Sequence, residues 1–184
     1  MASILNVDQI NNAAGTSGIA LDASTGKASF PNSVTIPNGA TMPAGSVIQV
    51  VQVVQNGTQS LTNSSSFTDV TALSANITPS SSSNKVLVVA SLEGGMGVNG
   101  QNTTGRFRIL RDGSTQIAMQ TIRSYDYGGN GIYIASSTIM TLLDAPSTTS
   151  QTTYNVQMVS ITGDNVFINP ENGTSTLTLM EIAQ

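Results

Sequence analysis

From residue 46 onward, short β-branched runs alternate with turn signals, and this spacing constrains the fold more than any other feature of the sequence. Asp112-Gly113 and Asn172-Gly173 lie between runs, and both dipeptides favour hairpins because a type I′ turn needs positive φ at two successive residues. No long stretch repeats its apolar positions every 3.6 residues. The pattern predicts an all-β chain whose main domain is an antiparallel jelly-roll sandwich. Its runs occupy residues 47–55, 66–70, 85–92, 106–110, 115–122, 131–143, 152–160, 165–168 and 174–182.

The run VIQVVQVVQ at Val47–Gln55 predicts a strand with both faces covered. Side chains alternate between the faces of a strand, so each face of this run carries both valine and glutamine. A buried glutamine costs free energy unless its amide is hydrogen-bonded. Three copies around a threefold axis would let these amides bond one another, which favours a homotrimer. The residues predicted at the trimer interface are Gln49, Val51, Gln52 and Val53.

Residues 1–45 have a different texture, with short apolar clusters separated by turn-rich pieces. Prolines at positions 31, 37 and 43 are incompatible with a helix interior or a central strand. Such a segment cannot close a core by itself, and disorder is one interpretation. We favour an extended segment that becomes ordered against copies of itself or a docking partner. The predicted organisation is therefore an N-terminal docking and trimerisation segment, 1–45, followed by a β-sandwich head, 46–184.

Composition excludes several classes of function. Only 9% of the residues are charged and the net charge is −4, which argues against nucleic-acid binding because that requires clustered cations. The chain has no His and no Cys, so most nucleophile–base pairs and most zinc or copper sites are excluded. No window approaches the roughly 18 apolar residues of a membrane span, and no signal peptide is recognisable at the N-terminus. We expect a soluble, non-enzymatic protein made in the cytosol, with no catalytic residues and no cofactor.

Two further motifs have structural interpretations that we prefer to functional ones. The glycine-rich run at residues 93–100 lacks the Lys-Thr ending of a phosphate loop and predicts a mobile loop between strands. Asp112 and Asp164 are not in loops with acids at alternate positions, so turn formation is favoured over calcium binding. We therefore predict no metal site.

The loop Tyr125-Asp-Tyr-Gly-Gly-Asn130 is the leading candidate for a receptor-binding element. Tyr125 and Tyr127 flank Asp126, and Asn130 follows two glycines. Aromatic faces beside hydrogen-bonding groups, on a loop held by a rigid scaffold, suit sugars or a protein receptor. The alternative is a plain hairpin connection with one tyrosine packed against the sheet.

A second candidate surface is the basic run around Arg106, Arg108 and Arg111. Alternation puts Arg106 and Arg108 on one face of a strand, with Phe107 and Ile109 on the other. Solvated faces of a hairpin are the preferred interpretation. Contacts between subunits, to acids such as Asp126 or Glu181, and ligand binding remain alternatives of equal weight.

Motifs along almost the whole chain resemble those of tail-fibre and virion structural proteins of marine bacteriophages of the cyanophage type. The resemblance rests on SILNVDQI (3–10), NAAGT (12–16), FPNSVTIPNG (30–39), PAGSVIQVVQ (43–52), ITPSS (77–81), KVLV (85–88), LLDAPSTTS (142–150), TY (153–154) and STLTLMEI (175–182). These motifs are structural rather than catalytic.

The resemblance implies an N-terminal attachment segment followed by a trimeric jelly-roll head similar to C1q and tumour-necrosis-factor folds. Ile4, Leu5, Val7 and Ile10 would dock to the particle, on a tail adaptor or hub or on the capsid. The head would contact a glycan or protein of the host surface, and the protein would reside in the virion without inserting into a membrane. A tail fibre or fibre tip is the expected role. A capsid decoration (cement) trimer is the alternative, and a polysaccharide depolymerase is a weaker one.

Overall fold

The computed structural model describes residues 9–11, 17–21, 28–29, 42–98, 103–125, 131–162 and 165–184. The chain divides into two compact units, Met1–Thr41 and Met42–Gln184. In the first unit, three short strands form an antiparallel sheet with the second in the middle: β1 (Gln9–Asn11), β2 (Ser17–Leu21) and β3 (Ala28–Ser29).

The second unit consists of two antiparallel sheets, so the predicted all-β sandwich is confirmed. Its strands are β4 (Val47–Gln55), β5 (Gln59–Thr62), β6 (Thr68–Ile77), β7 (Lys85–Val98), β8 (Thr103–Arg111), β9 (Thr115–Ser124), β10 (Ile132–Asp144), β11 (Thr152–Thr162), β12 (Asn165–Ile168) and β13 (Ser175–Ile182). In the first sheet, β10 pairs with one edge of β7, and β13 and β12 pair with successive parts of its other edge. β4 pairs with the far edge of β13, and β5 pairs with the far edge of β12. The second sheet has the order β6-β11-β8-β9.

The pairing of the eight long strands follows the jelly-roll rule. In chain order, the first pairs with the last (β4 with β13), the second with the seventh (β6 with β11), the third with the sixth (β7 with β10), and the fourth with the fifth (β8 with β9). Within the part of the chain that the structure describes, the only helical element is one 3-10 turn, Pro170–Asn172.

The core lies between the sheets and is built by period-two alternation. On β7, Val86, Val88, Ala90 and Leu92 are buried in the core, whereas the odd-numbered residues between them point to the outer face. On β8, Phe107 and Ile109 are fully buried and the arginines beside them are partly exposed, so the predicted alternation of that strand is confirmed. Residue parity thus gives the sheet face along a strand, except where a bulge shifts the register, as in β6 between Asp69 and Ser74.

The turn signals had mixed outcomes. Asp112 and Gly113 both have positive φ, and Ser114 N donates to Arg111 O over 3.3 Å, which confirms a tight turn joining β8 to β9. The hairpin predicted at Asn172-Gly173 was wrong. The strands before and after it, β12 and β13, do not pair with each other, because both lie along the same edge of β7.

The loop predicted over residues 93–100 was also wrong in its first part. Glu93 to Val98 belong to β7, because β10 pairs with them on one side and β12 pairs with Gly94 to Gly97 on the other. Residues 99–102 lie outside the described part of the chain.

The sandwich is closed where the chain enters and leaves it. Gly45 N donates to Ala183 O over 2.8 Å, and Ala183 N donates to Ser46 O over 2.9 Å. These bonds tie the segment before β4 to the end of β13, so Gly45 belongs with the sandwich. The sequence-based boundary at residues 45/46 differs slightly from the division between Thr41 and Met42.

Candidate interaction surfaces

The outer face of the first sheet carries aliphatic side chains that nothing in the described chain covers. Val50, Ile139 and Leu143 are 58%, 65% and 49% exposed. The strand registers place Leu143, Leu87, Met180 and Val50 in one row across four strands. A second row contains Ile139, Ser91, Thr176 and Val54. We call this surface the apolar face, and it comprises Val50, Val54, Leu87, Val89, Ile139, Leu143 and Met180.

Charge is confined to the margins of the apolar face. On the outer side of β4, β7, β10 and β13, the charged residues are Lys85, at the start of β7, and Glu93, two residues beyond Ser91 of the second row. Between them, the polar groups are neutral, as where Gln52 Nε2 donates to Thr178 Oγ1 over 2.8 Å. A large exposed apolar patch without charge is typical of a surface that another protein covers.

The four residues predicted at the trimer interface divide between the two faces of β4. Val51 and Val53 are partly buried and pack against the core, whereas Gln52 points outward. Gln49 Nε2 donates to Thr78 O (2.7 Å) and to Glu181 within the same chain. The amides are therefore hydrogen-bonded without a partner subunit. The trimer stays a prediction, and the exposed aliphatic side chains of β4 are Val50 and Val54, with Val47 and Ile48 at the start of the strand.

Two aromatic side chains of the same sheet, Tyr133 and Phe167, stack on each other. The rings of Tyr133 on β10 and Phe167 on β12 are parallel to within 9°, with centroids 4.6 Å apart. Phe167 is only 5% exposed and lies over Gly95 of β7, where a Cβ atom would overlap the Phe167 ring and Ile134 O. Glycine at position 95 therefore lets the ring approach the backbone. Sequence patterns do not indicate this stack, because Tyr133 and Phe167 are far apart in the chain.

A buried carboxylate holds the last strand in place. Glu181 is fully buried and accepts hydrogen bonds from Ser80 N (2.7 Å), Ser80 Oγ (2.7 Å), Asn84 Nδ2 (2.6 Å) and Gln49 Nε2 (2.5 Å). Burial alone raises the pKa of this carboxyl, but the hydrogen bonds from Asn84, Gln49 and Ser80 together lower the pKa below its ordinary value. Glu181 is thus engaged within the subunit and does not meet the arginines of the second sheet.

We predict that Glu181→Gln lowers the free energy of unfolding at pH 7 by about 2–3 kcal/mol, because the amide nitrogen would replace one carboxylate oxygen and face either the Gln49 donor or the donors of Ser80 and Asn84. A lowered pKa contributes stability above the unfolded-state value, near 4.3, and that stability is lost as pH falls. The difference between wild type and variant should therefore shrink below about pH 4.5. Urea unfolding at pH 7 and pH 3.5 measures it, and Glu171→Gln, at an exposed site, is the control. An equal difference at both pH values would contradict this account.

Arg111 is part of a second partly buried polar group. Its Nη1 contacts Asp144 Oδ1 (2.8 Å) and Oδ2 (2.7 Å), and Tyr154 Oη donates to Asp144 Oδ2 over 2.7 Å. The hydrogen bond to Asp144 raises the pKa of Arg111. Burial, followed by the Asp144 contact, raises the pKa of Tyr154. These contacts link β8, β10 and β11. The Arg111 guanidinium is therefore already paired with a carboxylate of the same chain.

The outer face of the second sheet is polar and ordered. Arg108 Nε and Nη2 donate to Gln157 Oε1 over 2.8 Å and 2.5 Å, and Gln157 Nε2 donates to Asp69 Oδ1 over 2.7 Å. Asn155 Nδ2 donates to the same oxygen over 2.7 Å. The Arg108 guanidinium lies 3.8 Å above the Phe67 ring centroid, which is a cation–π contact.

A small cavity of about 140 Å³ lies between the edge strands β9 and β10. Its lining mixes apolar and polar groups and consists of Gly95, Met96, Ile122, Arg123, Ile134 and Thr138.

The predicted receptor loop is described only at its first residue. Tyr125 follows β9 and is 52% exposed, whereas Asp126, Tyr127 and Asn130 lie outside the described residues. Of the predicted docking residues, Ile4, Leu5 and Val7 also lie outside them, and Ile10 is in β1, where it pairs with Ile19.

Asp112 and Asp164 were weighed as calcium ligands. Asp112 Oδ1 accepts a hydrogen bond from Thr153 N over 2.9 Å, so it joins the β8–β9 turn to β11. Asp164 lies outside the described residues. Among the residues that are described, no three acidic side chains cluster in a way that could hold a metal ion. In the same residues, no helix has the length and hydropathy needed to cross a membrane.

Comparison with known proteins gives two findings. No protein-family model matches the chain, and no curated protein matches it. Solved structures with a similar fold include the infectious bursal disease virus VP2 subviral particle (16% identity, TM-score 0.42, 73% of this chain and 33% of that one). Another is the structure of the Gx strain of the same virus (15% identity, TM-score 0.42, 85% of this chain and 41% of that one). The chain spans less than half the length of these proteins, and similarity at this level assigns no family.

Proposed function

We propose that this chain is a structural protein of a bacteriophage particle, a tail fibre or fibre-tip module that assembles as a homotrimer. In this proposal, the N-terminal segment binds another virion protein, a tail adaptor or hub or the capsid, and the jelly-roll head meets a glycan or protein of the host surface. The observation that carries the proposal is the uncovered apolar face of the first sheet.

The size and chemistry of the apolar face fit a second copy of this chain. Four strands about 4.8 Å apart and seven residues long make a patch of roughly 19 Å by 24 Å. Its area, roughly 450 Å², is more than half of the ~800 Å² that each partner contributes to a standard interface, and the polar residues around it would form the rim. A face without charge is compatible with an identical face, because two copies meet without like-charge repulsion. The resemblance to trimeric heads of the C1q and tumour-necrosis-factor type favours three copies.

Location on purified particles tests the proposed role. Antibodies against the sandwich, viewed by electron microscopy on phage from the source host, should label tail appendages. Label spread over the capsid surface would instead support the alternative, a decoration trimer. Absence of the protein from purified particles, measured by mass spectrometry of their components, would contradict both.

We also propose that the chain has no catalytic activity, since it lacks the His and Cys on which most nucleophilic mechanisms depend. Incubation of the protein with host-surface polysaccharide should release no reducing sugar above a heat-denatured control. Release at a steady rate would revive the depolymerase alternative.

A further inference from the structure

The cations of this acidic protein are unevenly distributed over its two sheets. Of its six basic residues, three lie on the outer face of the second sheet: Arg106 and Arg108 on β8, and Arg123 on β9. The parity rule puts them there, because Phe107, Ile109 and Ile122 between them pack into or against the core. Among the described residues of β6, β8, β9 and β11, the acidic residue on that outer face is Asp69.

The three arginines form a line, which we call the arginine track. Arg106 and Arg108 are two residues apart on β8, about 7 Å along the strand. Arg123 pairs with Thr104 on the neighbouring strand, so it is the diagonal neighbour of Arg106, roughly 7–8 Å away. Tyr125, half exposed, follows two residues beyond Arg123 and prolongs the same line. A track of about 20 Å runs from Arg108 to Tyr125.

The track combines one oriented guanidinium with two that make no ion pair with a described carboxylate. Arg108 is oriented by Gln157 and by the Phe67 ring. Arg106 Nε is buried and has no hydrogen-bond partner among the described residues, and Arg123 is exposed at the edge of the sheet. The ion pair found within the described residues uses Arg111, so neither Arg106 nor Arg123 is neutralised by a described carboxylate. A guanidinium group binds a carboxylate through two parallel hydrogen bonds. A carboxylate is therefore the ligand group that these arginines would favour.

We propose that the arginine track binds an acidic polysaccharide, a chain of sugars carrying carboxylates, on the surface of the host cell. This inference rests on the proposed host-contact function and assigns its ligand class. The arginines would bind the carboxylates. Asp69, Asn155 and Gln157 offer neighbouring donors and acceptors that suit sugar hydroxyls, and the Tyr125 ring offers a stacking face.

Other polyanions fit this surface less well. A nucleic acid presents a phosphate at every residue, and the exposed Asp69 carboxylate together with the net charge of −4 opposes it. An acidic peptide would use the cations but carries few hydroxyl groups to donate to the exposed Asp69 carboxylate beside them. The track also lies on the sheet opposite the apolar face, so it stays accessible when that face is covered by other copies.

Direct binding of polygalacturonate oligomers to the full-length protein tests the inference. We expect binding by biolayer interferometry in 50 mM NaCl, with a marked loss in 500 mM NaCl because salt screens exposed charges. Arg106→Gln/Arg123→Gln should weaken it about tenfold, whereas Lys85→Gln, on the other sheet, should leave it unchanged. Arg108 is left intact because Gln157 and Phe67 depend on it. Unchanged thermal unfolding and native mass of the double variant would establish that its fold is preserved.

Four results would overturn the proposal: no binding of polygalacturonate at millimolar uronate, equal binding by wild type and double variant, equal binding of a neutral maltose oligomer, or stronger binding of poly-glutamate or single-stranded DNA. These results leave the proposed virion role standing if the protein is found on particles. Absence from particles contradicts the virion role whatever the polysaccharide result.

Discussion

If the proposed trimer forms through the apolar face, Val50→Asp and Ile139→Asp should each yield a monomer while leaving the sandwich folded. Both side chains are more than half exposed in the single chain, so we expect the intrinsic stability to change by about 1 kcal/mol or less. In the assembly the same positions would be covered, and a carboxylate buried there without a partner is strongly unfavourable. Light scattering coupled to gel filtration measures the mass, and circular dichroism checks the fold.

The matched control is Met119→Asp, which puts the same charge at a site 44% exposed on the outer face of the second sheet. It should remain trimeric. If both variants of the apolar face kept the wild-type mass, or if Met119→Asp dissociated the protein equally, the apolar face would not be the subunit interface.

Gly95→Ala should destabilise the sandwich by about 3–5 kcal/mol, whereas Gly97→Ala should be nearly neutral. A Cβ atom at position 95 overlaps the Phe167 ring and Ile134 O, and that oxygen belongs to a paired strand that cannot move aside cheaply. At position 97, two residues along the same strand, the nearest atom to a new Cβ is Asn165 Cβ at 3.9 Å, an ordinary contact.

Thermal and urea unfolding of the two glycine variants measures the difference, and near-ultraviolet circular dichroism reports the Tyr133–Phe167 stack. Both variants replace a glycine of β7 with alanine, so the change in intrinsic β-strand propensity is the same in each. The difference between their free energies of unfolding therefore isolates the effect of the close contact at Gly95. Equal stabilities would show that the ring does not lie against the β7 backbone.

Alternation predicted which residues share a face more reliably than it predicted which face is inside. On β8 the contrast between arginines and apolar residues identified Phe107 and Ile109 as core. On β4 both faces mix valine with glutamine, so the pattern left the direction open. The structure orients Val51 and Val53 inward because β13 pairs with β4 in that register.

Glycine signals succeeded where the turn was local and failed where distant strands decided the outcome. Asp112-Gly113 joins neighbours in one sheet, so the dipeptide alone specifies the turn. The glycine-rich sequence at Gly94, Gly95 and Gly97 predicts a loop, because glycine weakens isolated strands. Pairing with β10 and β12 overrides that preference, and Phe167, far along the chain, requires glycine at position 95.

The hydrogen bonds around Glu181 show what the sequence signals and what it hides. The run STLTLMEI is mostly apolar, so its glutamate is expected to be buried. A buried carboxylate needs hydrogen-bond donors. Its donors come from Gln49, Ser80 and Asn84, at least 97 residues away along the chain, and only the fold brings them together.

Native mass spectrometry of the unmodified full-length chain, at low micromolar concentration, tests the central claim that this jelly roll is built to assemble with copies of itself. We predict a dominant species of about 57 kDa, the mass of three chains of 18.9 kDa. A single species of 18.9 kDa across the concentration range would contradict the account.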